Sequence, residues 1–176
     1  MSNVVRLTSD LYAELWSHLL SGHGEQVAFA FAEALPDEEG VTFVVREVYL
    51  VPPHELEVQA DYHVSLTDEA QAKVIKLAWD KQLALGEFHS HPGGRRPAEF
   101  SPSDRHGLDE FVPHVRWRLR RQPYFAVVTA PNDFDALVWR NSNPEGLDEL
   151  SAGDLVLHPT GLTMEHPWTQ RGRADG

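Results

Sequence analysis

The N-terminal part of the chain carries apolar residues at the spacing of one helix face. Leu11, Leu15 and Leu19 recur every four residues, and Thr8 stands ahead of them as a candidate N-cap. Repetition at this interval places the three side chains in one stripe that a core can bury. The sequence therefore predicts an amphipathic helix over residues 9–20.

The segment that follows has the patterns of two β-strands. Residues 25–35 form an apolar and aromatic run that suits a buried strand, although its alanines would also suit a helix. Residues 41–51 alternate between two side-chain faces, which is the period of a strand. An acidic turn over residues 36–40 lies between them. A third, short strand is predicted over residues 62–66.

Thr67 and Asp68 begin a second predicted helix, and Gly86 is expected to end it and to open the strand that follows. A third helix is predicted to start near Pro102 and to stop about residue 112, because Pro113 should limit it. The same signals predict a C-terminal series of elements: a hairpin of strands over 124–129 and 134–139, a polar loop over 141–153, and an edge strand over 155–157.

This order of helices and strands predicts an α/β fold, built as a curved, mostly antiparallel sheet flanked by helices. No repeat, low-complexity block or linker divides the chain of 176 residues. We therefore expect one domain over residues 1–168. Residues 169–176 are expected to form a disordered tail.

Composition narrows the classes of function. The absence of cysteine excludes disulfides, thiolate metal sites and cysteine nucleophiles. The net charge of −12 argues against nucleic acid as a partner, and the basic residues over 116–121 are expected to form a solvated face. Without a long apolar run or a signal-peptide pattern, we expect no membrane partner and a cytoplasmic location.

Candidate chemistry is concentrated between His89 and Asp104. His89 and His91 are two residues apart at the predicted end of a strand, so their imidazoles share one face. Ser101 is a candidate N-cap of the third helix, which directs Asp104 in the first turn back toward the strand. Two imidazoles and a carboxylate can hold a catalytic zinc ion that keeps a fourth position for water. The alternative is a plain capping box that needs no metal.

These residues resemble the signature of the JAB/MPN metalloproteases, the JAMM family of zinc isopeptidases. That signature is a glutamate, then His-Ser/Thr-His-Pro, a spacer and Ser-x-x-Asp. His89-Ser90-His91-Pro92 and Ser101-Pro102-Ser103-Asp104 match it, although the spacer of nine residues exceeds the common seven. The resemblance implies a JAB/MPN-like, cytidine-deaminase-like fold. It also implies Zn²⁺ as cofactor, with His89, His91 and Asp104 as metal ligands.

The residues themselves leave two candidates for the general base that peptide hydrolysis requires. Glu87 shares the strand face of the histidines, and Glu25 stands ahead of the first buried strand. The resemblance points to Glu25, with Glu87 as second choice. It also implies that the Ser101 hydroxyl donates to the developing oxyanion, although one hydroxyl is not expected to serve there and as helix cap at once. Ser90 is expected to face away from the site and to be structural.

The resemblance to bacterial JAB-domain proteins also implies a substrate. The protein would be a deubiquitinase-like zinc metallopeptidase, and its substrate would be a ubiquitin-like or sulfur-carrier protein that it cleaves after the C-terminal glycine. An associated activating enzyme would be a further partner. One alternative is a non-catalytic MPN-type scaffold, which would lack the metal residues. The other is a cupin-like metal protein, whose glutamate should follow the second histidine more closely than Glu99 does.

Two further histidines are weaker candidates. His23 lies two residues before Glu25 and would line the cleft only if its loop folds inward. His106 lies near Asp104 on the third helix, where it could support a ligand through an outer hydrogen bond. The alternative for each histidine is a solvated side chain on the surface with no role in a site.

Overall fold

The computed structural model of the protein describes residues 2–22, 24–60, 63–93 and 95–166. Within these ranges the α-helices are α1 (Ser9–Leu19), α2 (Asp68–Lys81), α3 (Pro102–Arg118) and the short α4 (Leu162–Glu165). The strands are β1 (Val4–Leu7), β2 (Val27–Pro36), β3 (Val41–Leu50), β4 (Leu56–Ala60), β5 (His63–Leu66), β6 (Ala84–Ser90), β7 (Tyr124–Thr129), β8 (Phe134–Trp139), β9 (Pro144–Gly146), β10 (Glu149–Ala152) and β11 (Leu155–Leu157). A single 3-10 turn covers Pro53–Glu55.

A nine-stranded, curled mixed sheet forms the centre of the molecule, in the order β11-β10-β1-β3-β2-β6-β7-β8-β9. The pairings of β1 with β10, β1 with β3 and β6 with β7 are parallel, and the other pairings in this sheet are antiparallel. β4 and β5 form a separate two-stranded ribbon. The structure confirms an α/β fold with a sheet flanked by helices, in which antiparallel pairs predominate.

Helices cover both faces of this sheet. Leu15 and Leu19 of α1 pack on one face with alternate alanines of β2, among them Ala28 and Ala30. The residues between those alanines, such as Phe29, face the other side and pack with α2 and α3. The alanines that made residues 25–35 ambiguous therefore lie where α1 approaches the sheet. A cupin is built from two β-sheets packed on each other, whereas here helices pack on both faces of one sheet.

Several predicted elements are confirmed. α1 begins after Thr8, whose hydroxyl accepts the Leu11 N–H at 3.1 Å, and Thr67 caps α2 in the same way at 3.2 Å from Ala70 N. β2, β3, β7 and β8 lie within two residues of the predicted bounds, and β11 is an edge strand. β5 covers the described part of the predicted third strand, since Tyr62 lies outside the described residues.

The prediction that Gly86 ends the second helix is wrong. α2 ends at Lys81, where Gln82 adopts a left-handed conformation with φ of 56°, and Gly86 lies inside β6. A Cβ atom at position 86 would lie 2.1 Å from Cζ of Phe125 on the neighbouring β7. The glycine is therefore required by ring packing between strands, not by a turn.

The prediction that Pro113 limits the third helix is also wrong. α3 continues to Arg118 with Pro113 inside it. A proline at this position removes one helical hydrogen bond and costs about 3 kcal/mol in an isolated helix. Val112 and Val115 on either side of it are buried in the core, and this burial offsets the loss.

Four strands were not predicted, and two of them, β9 and β10, lie in the segment predicted as polar loop. β9 pairs with β8, and β10 lies parallel to β1, which was itself missed. β4 was the other strand without a sequence signal strong enough to name. Each is a short element whose partner lies elsewhere in the chain, so local pattern alone does not identify it.

Across the described ranges, no helix has both the length and the apolar character that crossing a bilayer requires. The predicted disordered tail over residues 169–176 lies outside the described residues. The prediction of a single domain over 1–168 stays a prediction.

Candidate metal centre

His89 and His91 lie next to each other at the end of β6. His89 is 6% exposed and lies on the sheet face that α3 covers, where its ring centroid is 5.6 Å from that of Phe100. His91 follows the last strand residue, and its N–H donates to the Thr129 carbonyl of β7 at 2.7 Å. This backbone bond continues the ladder by one residue. It brings His91 onto the same side as His89, as the spacing of two residues predicted.

The first turn of α3 supplies the carboxylate. The Ser101 hydroxyl accepts the N–H of Asp104 at 3.1 Å, and the Asp104 carboxylate accepts the N–H of Ser101 at 2.8 Å. This reciprocal capping box fixes the Asp104 side chain at the helix start. The predicted cap is thus present, and it orients the same carboxylate that the metal interpretation requires.

Three ligand atoms converge at this point. Asp104 Oδ2 lies 3.2 Å from Nε2 of His89 and 3.2 Å from Nε2 of His91. The two Nε2 atoms lie 3.3 Å apart. His89, His91 and Asp104 therefore form a compact group that can hold a metal ion. Sequence reasoning had named these three residues.

His89 and Asp104 shift each other's pKa. Burial alone would lower the pKa of His89, but the Asp104 carboxylate and nearby glutamates raise it to about 9. Burial alone would raise the pKa of Asp104, but His89 and His91 hold it well below its usual range. The carboxylate therefore stays ionised and stabilises positive charge on the His89 imidazole. The same field favours a cation at this position.

Glu25 lies beside the histidines, at the start of β2. Its Oε1 is 3.7 Å from Nε2 of His91, and the residue is only 3% exposed. Burial raises the pKa of Glu25 to about 7, although His89 and His91 act to lower it. A carboxyl group in this condition changes its protonation state close to neutral pH, which is where a general base works best.

Ser90 fixes the backbone next to Glu25. Its buried hydroxyl accepts the N–H of Gln26 at 2.9 Å, and its own N–H donates to the Gln26 carbonyl at 3.1 Å. These two bonds join the end of β6 to the residue that follows Glu25. Ser90 therefore holds structure rather than entering the site, as the alternation along the strand predicted.

Glu87 is differently engaged. The residue as a whole is half-buried, and its carboxylate accepts a hydrogen bond from the Tyr124 hydroxyl at 2.8 Å. Burial raises the pKa of Glu87, and the charge on His89 acts against that rise. Glu87 is thus near His89 but bound to Tyr124, whereas Glu25 lies next to His91. The geometry favours Glu25 as the base, and the choice between them stays a prediction.

The Ser101 hydroxyl can serve two partners. It accepts a hydrogen bond as helix cap, and that bond uses an oxygen lone pair, not the hydroxyl proton. Capping by itself therefore leaves the hydroxyl proton available, and the expectation that the hydroxyl does not serve both roles stays a prediction. Donation itself stays a prediction.

The interpretation of His106 as a support for the metal ligands is wrong. Its side chain is 78% exposed and its Nε2 lies 3.5 Å from Glu110 Oε1, on the outer face of α3. His23 lies outside the described residues, so its contribution to the cleft stays a prediction. Sequence reasoning missed Phe100, Thr129 and Tyr124, which contact the named residues. No local sequence signal marks them, because each contact is made by the fold.

Comparisons with known proteins add only the fold. No family model matches the chain, and no curated protein matches it. The chain is similar to the solution structure of protein DSY2949 from Desulfitobacterium hafniense, at 19% sequence identity and a TM-score of 0.50. That similarity covers 84% of this chain and 93% of the other chain. At this identity, the likeness places the chain in an α/β fold shared with a protein of solved structure.

Proposed function

We propose that the chain is a zinc-dependent hydrolase of the JAB/MPN (JAMM) type that cleaves peptide or isopeptide bonds. One observation carries the proposal: three ligand atoms of His89, His91 and Asp104 lie 3.2–3.3 Å apart, with the buried Glu25 carboxylate beside them. A purely structural capping box would account for Asp104, but it would not require two histidines and a buried glutamate around the same carboxylate.

The spacing of the ligand atoms suits zinc. A tetrahedral ion with bonds of about 2.0–2.1 Å requires ligand atoms about 3.3 Å apart. An octahedral ion with bonds of about 2.1 Å would require about 3.0 Å between neighbouring ligands. The observed separations of 3.2, 3.2 and 3.3 Å are closer to the tetrahedral geometry. Two imidazoles and one carboxylate are also a donor set that zinc accepts, with one position left for substrate or solvent.

The roles of the protein's own groups follow from their positions. Bound zinc would supply Lewis acidity, which polarises a carbonyl oxygen and lowers the pKa of water. Glu25 would accept the proton of the attacking water and deliver it to the departing amine, because it is buried and close to His91. The Ser101 hydroxyl would donate its proton to the oxygen on which negative charge develops. Ser90 and the capping box would hold these groups in position.

The substrate class rests on the JAMM resemblance. We propose a ubiquitin-like or sulfur-carrier protein that is cleaved after its C-terminal glycine, with an activating enzyme as an associated partner. An extended tail of this kind can enter by main-chain pairing with a strand, which leaves its side chains for selection. The net charge of −12 would favour a tail or carrier with a basic surface.

The test combines metal content with cleavage. Purified protein is expected to hold about one zinc per chain, and Glu25→Gln is expected to keep the zinc while cleavage falls at least about 100-fold. Substrates would be ubiquitin-like and sulfur-carrier proteins with C-terminal extensions, read by mass spectrometry. Replacement of the terminal glycines in the same substrates is the matched control.

One outcome would overturn the proposal, and another would overturn the role given to Glu25. Protein that binds no zinc would instead fit a non-catalytic scaffold of the MPN type. Zinc-loaded Glu25→Gln that cleaves at the wild-type rate would show that another group acts as the base, and Glu87→Gln would then be the variant to measure.

A further inference from the structure

A C-terminal segment of the chain is bound to the start of β8. Gly161 N–H and Thr163 N–H donate to the two carboxylate oxygens of Asp135 at 3.0 and 2.9 Å. Thr160 N–H donates to the Phe134 carbonyl at 2.9 Å. Asp135 is almost fully buried, so these bonds are shielded from water. We call residues 160–163 the C-terminal latch.

The latch in turn holds the loop that leads into α3. The Thr160 hydroxyl donates to the Ala98 carbonyl at 2.7 Å, and the Phe100 N–H donates to the Thr163 hydroxyl oxygen at 3.0 Å. Thr163 is 0% exposed, and Phe100 is also buried. Two bonds from the latch therefore fix the residues immediately before the helix cap.

A third bond reaches α3 itself. The Arg105 guanidinium donates to the Thr163 carbonyl at 2.9 Å, and Arg105 is the neighbour of Asp104. The connection between His91 and Ser101 is nine residues long, so the strand alone leaves the helix start considerable freedom. The latch restricts that freedom from the opposite side.

We infer that Thr163 and Asp135 are positioning residues for the metal centre. They act through the loop over 98–100 and the capping box to set where the Asp104 carboxylate lies relative to the two histidines. The inference rests on the proposed function, because it treats Asp104 as a ligand. It extends that function by making part of the site depend on a segment about sixty residues further along the chain.

The variant Thr163→Val tests the inference, because it keeps the side-chain shape and removes the oxygen that accepts the Phe100 N–H. Titration of the metal-free protein with Zn²⁺ against a chromophoric chelator is expected to show a dissociation constant about tenfold higher than in the wild type. Thr163→Ser keeps the hydroxyl and is expected to restore wild-type affinity. Thr8→Val likewise removes a threonine hydroxyl that accepts a backbone N–H, but at the start of α1, and as the control it is expected to leave zinc affinity unchanged.

Amide hydrogen exchange provides a readout that needs no metal. In Thr163→Val the amides of Phe100 and Asp104 are expected to exchange at least about tenfold faster than in the wild type. Thr8→Val should leave both unchanged. If Thr163→Val does not fold, Thr160→Val is measured instead, with the same effects expected from loss of its bond to Ala98.

The outcomes separate the two proposals. Wild-type zinc affinity together with wild-type amide exchange in Thr163→Val would overturn the latch. An equal loss of affinity in Thr8→Val would also overturn it, since a general loss of stability would then explain the effect. If wild-type protein binds no zinc, the proposed function fails. In that case amide exchange at Phe100 and Asp104 alone tests whether the latch fixes the start of α3.

Discussion

At the scale of single residues, Asp104 is the side chain on which two kinds of structure depend. Its carboxylate completes a capping box with Ser101 and lies 3.2 Å from each of two imidazole nitrogens. A helix cap usually needs only the first of these. Because the cap holds the carboxylate in place, little conformational freedom remains to be lost when a cation binds.

Two histidine variants distinguish a proposed metal ligand from an exposed histidine on the surface. His91→Ala is expected to lose zinc, because two protein ligands hold the ion far more weakly than three. His106→Ala is expected to keep it, because His106 forms only an exposed pair with Glu110. Elemental analysis after gel filtration measures both. Zinc retained by His91→Ala, or lost by His106→Ala, would contradict the assignment.

Residue patterns predicted the candidate centre far better than its surroundings. Histidine and aspartate are chemically distinctive, and His89, His91 and Asp104 lie at the end of one strand and the start of one helix. Their spacing in the sequence was therefore enough to predict that the three side chains lie close together. Thr163 reaches the same region through the backbone of Phe100, across a gap of sixty-three residues. Such a contact has no local pattern, since it depends on where β8 places Asp135.

At the scale of elements, β6 links the core to the candidate centre. Its residues alternate between the α1 face, with Phe88, and the α3 face, with His89. The antiparallel register with β2 pairs Val27 with His89, which brings Glu25 to the same end of the sheet. Register in a buried sheet is set by this alternation, so a slip of one residue would remove both histidines from the site.

Gly86 is a position in β6 with no room for a side chain. Gly86→Ala would place Cβ 2.1 Å from the Phe125 ring, so the strand or the ring must shift. We expect a loss of about 1–3 kcal/mol in the free energy of unfolding, measured by chemical denaturation. Phe125→Leu is the partner variant, and in the double variant the two losses should sum to more than the measured total. Strict additivity would contradict the contact.

The same scale shows why element boundaries were mispredicted. Pro113 and Gly86 are both strong local breakers, yet each lies inside a regular element. At Pro113, the buried neighbours Val112 and Val115 hold the helix against the core. At Gly86, the ring of Phe125 occupies the space of the missing side chain. In both places tertiary packing, which sequence does not display locally, decides the structure.

At the scale of the whole molecule, the acid response should depend in part on a cluster around Glu55, apart from His89 and His91. Glu55 accepts hydrogen bonds from the Tyr49 hydroxyl and from Lys73 Nζ, the latter at 3.0 Å. Burial alone would raise the pKa of Glu55, but these bonds lower it below its ordinary value of 4.5. The 3-10 turn is thereby tied to β3 and α2.

The sign of the pH effect follows from that lowered pKa. Below pH 4.5 the unfolded chain binds a proton at Glu55 before the folded chain does, so the stabilisation is present at neutral pH and lost as pH falls. Glu55→Gln should therefore lose less stability than the wild type between pH 6 and pH 3, as measured by urea denaturation at each pH. Parallel pH profiles for the two proteins would contradict this assignment. Glu110→Gln, at an exposed position, is the control.

The place of β1 in the sheet has a consequence for biosynthesis. β1 lies between β3 and β10, and β10 ends at Ala152, so during translation β1 gains its second neighbour only after every other strand of the sheet except β11 has been made. The residues that tie down the helix start come later still, at 160–163. A nascent chain that has been made only as far as α3 already contains both histidines and Asp104, but it lacks the hydrogen bonds from Thr160 and Thr163 to the loop that precedes α3. We therefore expect these three side chains to reach their final arrangement only after residues 160–163 have been made.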